Sequence, residues 1–278
     1  IPVGQFRRFA FFENALTAPD QLRQVTAYAL TQLFVVSQTG VLGNNPLGLS
    51  SYYDTLLTHS FGNYRDLLRA VTLHPAMGFY LSHVNNGKTD PAANTFPDEN
   101  YAREVMQLFT IGIYELNPDG TQKLDTDGRP IPTYDNTDIR EFSKIFTGLA
   151  YAGADGQEPQ FGRNRAVLHA PMVMFDGYHE QGEKYLLNEF VVPDGQTGFQ
   201  DIDDAVDNLF NHPNVGPFVG KQMIQRLVSS NPSPEYVSRI SAVFADNGNG
   251  VRGDMQAVIR AILTDPEVAD ASRVREPF

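Results

Sequence analysis

The segment 96–112 limits the fold more than any other part of the sequence, because its apolar residues recur at the spacing of an α-helix. Pro97 stands where a helix would begin, with Thr95 or Asp98 available as the N-cap. One face carries Tyr101, Val105, Leu108 and Gly112. The opposite face is densely polar and carries Glu99, Asn100, Arg103, Glu104 and Gln107. Such a face indicates either a functional site or a network of buried polar groups.

The same helical spacing recurs along most of the chain and predicts a mainly α fold, a multi-helix orthogonal bundle. A first helix over 19–38 has an apolar stripe that we expect to be buried, formed by Leu22, Val25, Ala29, Leu33 and Val36. Further helices are expected over 47–57, 64–73, 75–84, 135–149, 201–211, 213–229, 234–245 and 254–263.

The middle of the sequence has a different pattern. Turn residues at 117–120 and 125–128 predict a small β-hairpin arm within 114–134. The runs 172–175 and 185–192 predict short β insertions. We expect a single mainly helical domain over 1–278, or two lobes, 1–113 and 196–278, around a mixed insertion 114–195.

Composition restricts the compartment and the partners. The chain has 278 residues, no cysteine and a net charge of −12, which argues against nucleic acid and anionic membrane surfaces as partners. Disulfides, thiolate catalysis and cysteine-bound zinc are excluded. No apolar run approaches the ~20 residues of a membrane span. An acidic, lysine-poor chain that starts at Ile1 predicts a processed, exported protein, periplasmic or extracellular.

The polar face of the 96–112 segment is the first candidate site. Glu104 could act as an acid, a base or a ligand, and Arg103 could orient it or bind an anion, because a carboxylate beside an arginine has a shifted pKa. Glu99 and Asn100 are candidate substrate-binding residues. The alternative is a buried salt-bridge network between helices, in which Arg103→Ala would cost roughly 3–5 kcal/mol.

A second candidate site lies between residues 169 and 184. His179 and Lys184 are its candidate catalytic residues, and Glu180 is a candidate for substrate binding. Its weak metal-ligand candidates are His169, Asp176, His179 and Glu180. We expect no tightly bound transition metal, because no second shell is evident. In the structural alternative, His179 and Glu180 bind backbone and Lys184 pairs with a carboxylate of the 96–112 helix.

Other motifs are weaker. The acidic turns at 125–128 and 246–254 lack the bidentate glutamate of a calcium loop, and turn chemistry explains both. Histidine precedes proline at His74 and His212, where capping or core packing is the expected role. The sequence has no Gly-x-Ser-x-Gly elbow and no glycine-rich phosphate loop, so we expect no cofactor.

The polar helix also resembles a known family. Its sequence, Pro97-Asp-Glu-Asn-Tyr-Ala-Arg-Glu-Val-Met-Gln-Leu-Phe-Thr-Ile-Gly112, is similar to the signature of the bacterial family called domain of unknown function 1800. Further similar runs are 22–37, 61–68, 74–77, 146–148, 179–184 and 212–213. The resemblance implies an exported, largely helical protein, and it implies no particular activity.

Two departures from the family pattern affect candidate residues. Many members have a run with Trp and His where this chain has residues 29–34, so any role of that histidine is missing here. Many members also have His-Asp where this chain has His179 and Glu180, which keeps a carboxylate but lengthens its reach.

Two classes of function follow. The first is an exported hydrolase of an extracellular polymer, with Glu104 and His179 as the acid/base pair and Arg103 or Lys184 stabilising negative charge. The second is a non-catalytic exported binding or scaffold protein, with a polymer or a protein as partner and the same residues in a buried network. Both predict that the 96–112 helix and the His179 segment meet. The sequence does not define the oligomeric state.

Overall fold

The computed structural model describes residues 3–39, 41–153, 157–163 and 167–269. Within them lie eleven α-helices, which confirms the mainly α fold. In chain order they are α1 Val3–Thr17, α2 Gln21–Thr31, α3 Pro46–His59, α4 Tyr64–Leu73, α5 Pro75–Tyr80, α6 Asn100–Gln107, α7 Asn136–Ile145, α8 Gly198–Phe210, α9 Val215–Leu227, α10 Pro234–Ala245 and α11 Met255–Thr264. None of these helices combines the length and the apolarity needed to cross a membrane.

Helix boundaries follow from capping side chains. Asp135 caps α7 in a reciprocal capping box with Asp138, and Thr197 does the same for α8 with Gln200. Each cap supplies an acceptor for backbone N–H groups that have no partner inside the helix. The position of α8 matters most here, because its first turn carries a residue of the candidate site.

Two small antiparallel sheets lie between α7 and α8. The first pairs β1 (Leu149–Ala150) with β2 (Val173–Met174), and the second pairs β3 (Lys184–Tyr185) with β4 (Val191–Val192). The predicted arm at 114–134 is also antiparallel. It is built from isolated bridges at Tyr114–Pro132, Leu116–Gln122 and Leu124–Pro130.

One continuous cluster of buried apolar side chains runs from Ala29 in α2 to Ile262 in α11. Helices from the two ends of the sequence meet in it, because α2 contacts α9 and α4 contacts α8. The arm is tied to this core by Asn214, whose side chain is buried before α9.

The largest differences from the sequence expectations are in α1, α2 and α6. Helix α1 was not predicted. Helix α2 ends at Thr31, and its Leu22 and Val25 are 48% and 50% exposed. The predicted stripe is buried at Ala29 and Leu33 and partly buried at Val36. Helix α6 ends at Gln107, and Leu108 is 44% exposed, because the last part of the segment turns away from the helix axis.

Candidate functional site

His179 is buried beside the end of α7. It follows a short 3₁₀ turn, Asp176–Tyr178, and its side chain is 0% exposed. Its Nδ1 lies 3.0 Å from the Thr147 carbonyl oxygen and 3.2 Å from Thr147 Oγ1. Its Nε2 lies 2.9 Å from Oδ2 of Asp201. Space beside the ring is tight, since a Cβ at Gly198 would lie 2.5 Å from Met174 Sδ and 3.1 Å from His179 Cγ.

Lys184 binds the same carboxylate oxygen as His179. Its Nζ lies 2.6 Å from Asp201 Oδ2 and donates to the Gly182 carbonyl at 3.0 Å. The side chains of Lys184 and Asp201 are 3% and 1% exposed. Asp201 sits in the first turn of α8, where the cap at Thr197 fixes its position. We call His179, Asp201 and Lys184 the buried ion cluster.

The hydrogen-bond partners orient the His179 ring. The Thr147 carbonyl oxygen is an acceptor beside Nδ1, and the Thr147 hydroxyl donates to the Lys144 carbonyl. Nε2 faces the Asp201 carboxylate oxygen that also accepts from Lys184. Contacts at both ring nitrogens thus hold the ring between the end of α7 and the first turn of α8.

Two neighbouring carboxylates accept hydrogen bonds from backbone N–H groups. Glu180 Oε2 accepts from the Thr89 N–H at 2.7 Å, and Asp176 Oδ1 accepts from the Gly198 N–H at 2.8 Å. These contacts match the structural alternative for Glu180. The same alternative paired Lys184 with a carboxylate of the 96–112 helix. That prediction was wrong, because Lys184 pairs with Asp201 of α8.

The weak metal-ligand candidates are spread out. His169 is exposed, and its carbonyl accepts from Ser51 Oγ at 3.3 Å, whereas His179 is inside the buried ion cluster. Across residues 3–39, 41–153, 157–163 and 167–269, no three His, Asp or Glu side chains form a group that could hold a metal ion.

The polar face of α6 is partly solvated. Glu99 and Arg103 form an ion pair at 3.4 Å, and both side chains are 41% exposed. The expected buried salt-bridge network was therefore wrong at this pair. Asn100 begins the helix, and its N–H donates to Asp98 Oδ1 at 2.8 Å. Burial raises the pKa of Glu104, and Arg103 lowers it. Glu104 Oε2 is buried without a hydrogen-bond partner among the described residues.

Residues 86–98 connect α6 to the His179 segment. The Asp98 N–H donates to Asn86 Oδ1 at 2.9 Å, and the Lys88 N–H donates to the Tyr178 carbonyl at 2.8 Å. Within the described part of the chain, no hydrogen bond or ion pair joins Glu104 to His179. The structure thus joins His179 with Lys184, and Arg103 with Glu99, in two separate groups.

Helices α3 and α4 form the walls of a cleft of about 570 Å³, which we call the α3/α4 cleft. The face of α3 that lines the cleft has the three- and four-residue spacing of a helical stripe, but its residues are polar. They are Ser51, Asp54, Thr55, Thr58 and His59. The facing stripe of α4 consists of Asp66, Arg69, Ala70 and Leu73, and the remaining lining residues are His74, His169 and Pro171. Sequence reasoning missed this site, although the polar spacing on α3 was a readable signal.

The charged groups of the cleft are unevenly balanced. Burial raises the pKa of Asp54 and lowers that of His59, where Asp66 acts in the opposite direction. Arg69 is already engaged, since its Nε donates to Asp203 Oδ1 of α8 at 2.6 Å. Asp66 lies 4.0 Å from Arg65, and no ion pair includes Asp54 among the described residues, so the lining favours a neutral or cationic ligand over an anion.

Ser51 and His74 do not form a nucleophile–base pair. Nδ1 of His74 accepts from the Ala76 N–H at 3.1 Å, so the proton of the neutral ring is on Nε2. That Nε2 lies 3.3 Å from Ser51 Oγ and donates to it, whereas a general base would have to accept the hydroxyl proton. Burial lowers the pKa of His74 to about 4. The role of His74 is to cap α5, as the sequence indicated.

These observations define a mainly α protein with a buried ion cluster at its centre and a polar cleft between two helices. The family described as Protein of unknown function (DUF1800) matches residues 4–278, and the chain belongs to this family. Comparisons with curated proteins and with solved structures found no match.

Proposed function

We propose that this chain is a non-catalytic binding protein that takes a neutral, hydroxyl-rich ligand, such as a segment of an extracellular polysaccharide, in the α3/α4 cleft. The observation that carries the proposal is the polar stripe of α3 facing the cleft. Hydroxyls, carboxylates and imidazoles at successive helical turns offer the mixed donors and acceptors that sugar hydroxyls require. Ala70, Leu73 and Pro171 provide apolar contact for C–H groups.

The buried ion cluster supports a binding role more than a catalytic one. His179 and Lys184 share a single carboxylate oxygen and are excluded from solvent, so a substrate has no access to either group. A buried, fully hydrogen-bonded group of charges acts as an internal connection between chain segments. In this proposal His179, Lys184 and Asp201 hold the fold, and ligand contacts are made elsewhere.

A hydrolase is the second candidate, and one observation favours it. The α3/α4 cleft holds a carboxyl whose pKa is raised, Asp54, and an imidazole whose pKa is lowered, His59. Such opposed shifts are the pattern of an acid and a base. The pair Glu104 and His179 stays a prediction for the same reaction class, with Glu104 as the more accessible member.

The test is calorimetric titration of the intact protein with cellohexaose, a neutral oligosaccharide, and with an oligogalacturonate of similar length. We expect saturable binding of cellohexaose and none of the anionic oligomer. Asp54→Ala combined with Asp66→Ala should weaken binding about tenfold or more, because both acceptors are lost. Asp127→Ala in the exposed arm is the matched control.

The outcomes separate the two candidates. Absence of cellohexaose binding, or equal binding by the double variant, would reject the cleft as the site. If shorter sugars accumulate during incubation with the parent protein but not with the His59→Gln variant, the hydrolase is favoured.

Export is part of the same proposal. The acidic charge and the small number of lysines support a periplasmic or extracellular location. Fractionation of the native cells, with the protein followed by antibody, tests it. Recovery in the cytoplasmic fraction alone would contradict export.

A further inference from the structure

A second cavity, of about 530 Å³, lies between α1, α2 and α3. We call it the aromatic pocket, because its lining includes Phe11, Phe12, Tyr28, Phe34, Tyr52 and Tyr53. Phe11 packs edge-on against Tyr53, with ring centroids 5.7 Å apart, and lies 5.9 Å from Tyr28. The volume is in the range of small-molecule sites. No lining residue is shared with the α3/α4 cleft, since α3 presents opposite faces to the two spaces.

Two neighbouring arginines, Arg7 and Arg8, line the aromatic pocket. They also line a smaller space of about 190 Å³, so the guanidinium groups lie where the two spaces meet. Arg7 Nη2 donates to Gln38 Oε1 at 2.5 Å. In the described part of the chain, none of the ion pairs within 4.0 Å includes either arginine.

Burial, and then repulsion from Arg8, lower the pKa of Arg7. An anion beside both guanidinium groups would relieve the repulsion between them.

We propose that the aromatic pocket is a binding site for a small aromatic carboxylate, with its ring among the aromatic side chains and its carboxylate at Arg7 and Arg8. Aromatic rings favour edge-to-face and offset contacts with other rings, which aliphatic chains lack. Guanidinium groups bind a carboxylate through parallel N–H···O bonds. The two requirements together select the ligand class. The site is separate from the proposed polysaccharide cleft and does not depend on it.

Three probes test the chemistry on the intact protein by calorimetric titration. They are 2-naphthoate, 2-naphthalenemethanol, which has the same rings without the charge, and decanoate, which has the charge without a ring. We expect saturable binding of 2-naphthoate with a Kd of about 1 mM or lower. The alcohol and decanoate should each bind at least about tenfold more weakly than 2-naphthoate.

A double variant, Arg7→Gln with Arg8→Gln, should weaken 2-naphthoate binding about tenfold or more. Arg129→Gln in the exposed arm is the matched control and should bind as the parent does. Circular dichroism of each variant checks that the helices are retained. The proposal is overturned if 2-naphthoate does not bind, if the double variant binds equally well, or if the alcohol or decanoate matches 2-naphthoate.

Discussion

Asp201 is the residue on which the buried ion cluster depends, because its Oδ2 atom accepts from both His179 and Lys184. Asp201→Asn would leave the buried Lys184 ammonium group without its counter-charge, and we expect it to cost roughly 3–5 kcal/mol of unfolding free energy. Arg103→Ala, at the half-exposed pair with Glu99, should cost less than about 1 kcal/mol. Urea unfolding followed by circular dichroism measures both.

Asp204→Asn is the matched control for Asp201, since it lies on the same helix, is less buried and keeps an acceptor for Gln196 Nε2. A loss below about 1 kcal/mol in Asp201→Asn would contradict the expected dependence.

At the residue scale, the sequence predicted which positions were chemically unusual, but not with whom they interact. His179 and Lys184 were found because they lie in a short, dense polar run. Asp201 was missed because it is 22 residues from His179 and is one of 33 acidic side chains. The choice among those partners is made by the position of α8 against the end of α7, which depends on packing across the whole core.

Among the elements, the arm at 114–134 is joined to the start of α9 through one side chain. Asn214 Nδ2 donates to the carbonyls of Ile111 and Tyr114, both at 2.8 Å, and its Oδ1 accepts from the Leu116 N–H at 3.0 Å. Asn214→Ala would leave these groups unpaired, at a cost of roughly 1–3 kcal/mol each where they stay buried. We therefore expect the arm to detach before the helices unfold.

Hydrogen exchange of the Leu116 amide, followed by mass spectrometry, measures this detachment. The Leu116 amide should exchange faster in Asn214→Ala, whereas amides of α10 should keep their parent rates. Asn211→Ala, at an exposed position where the side chain donates to Asp207, is the control. Unchanged exchange at Leu116 would show that the bridges of the arm hold it without Asn214.

The predictability of each element followed the strength of its local signals. Helices α4 and α10 were predicted at the bounds observed, because caps and prolines mark their ends. The stripe of α2 was misjudged, since periodicity shows that residues share a face but not which face is covered. Helix α1 was missed because apolar residues occur nearly all round it, and Phe6, Phe9, Phe12 and Leu16 are exposed.

The whole molecule should lose stability in mild acid. Burial lowers the pKa of His74 and of His83 to about 4, and burial also lowers those of His59 and His212. As pH falls below about 6.5, the unfolded chain takes up protons that the folded chain excludes. The stabilisation is complete above that pH and is lost toward pH 4, by about 3 kcal/mol for each of His74 and His83.

The pKa values of Asp54, Asp138 and Glu104 are raised, so protonation of these groups favours the folded state as the pH falls. This effect opposes that of the histidines, but near the lower end of the pH range. Unfolding free energy measured from pH 7 to pH 4.5 tests the prediction. His83→Gln should flatten the pH dependence, because a glutamine side chain does not titrate. Its amide can still donate to the Thr72 carbonyl that His83 Nε2 now contacts at 2.8 Å, which should preserve the fold. His169→Gln, at an exposed position, should leave the profile unchanged. A flat profile in the parent protein would refute the argument.

The buried ion cluster also has a consequence for the order in which the molecule assembles. Its bonds join the end of α7, the segment at 179–184 and the first turn of α8, so they form only after all three are in place. We expect contacts that require three separate segments to be absent from an early folding nucleus. Loss of the cluster should therefore speed unfolding while leaving the folding rate nearly unchanged. The buried ion cluster should therefore determine how long the native state persists once it has formed, because it affects the unfolding rate more than the folding rate.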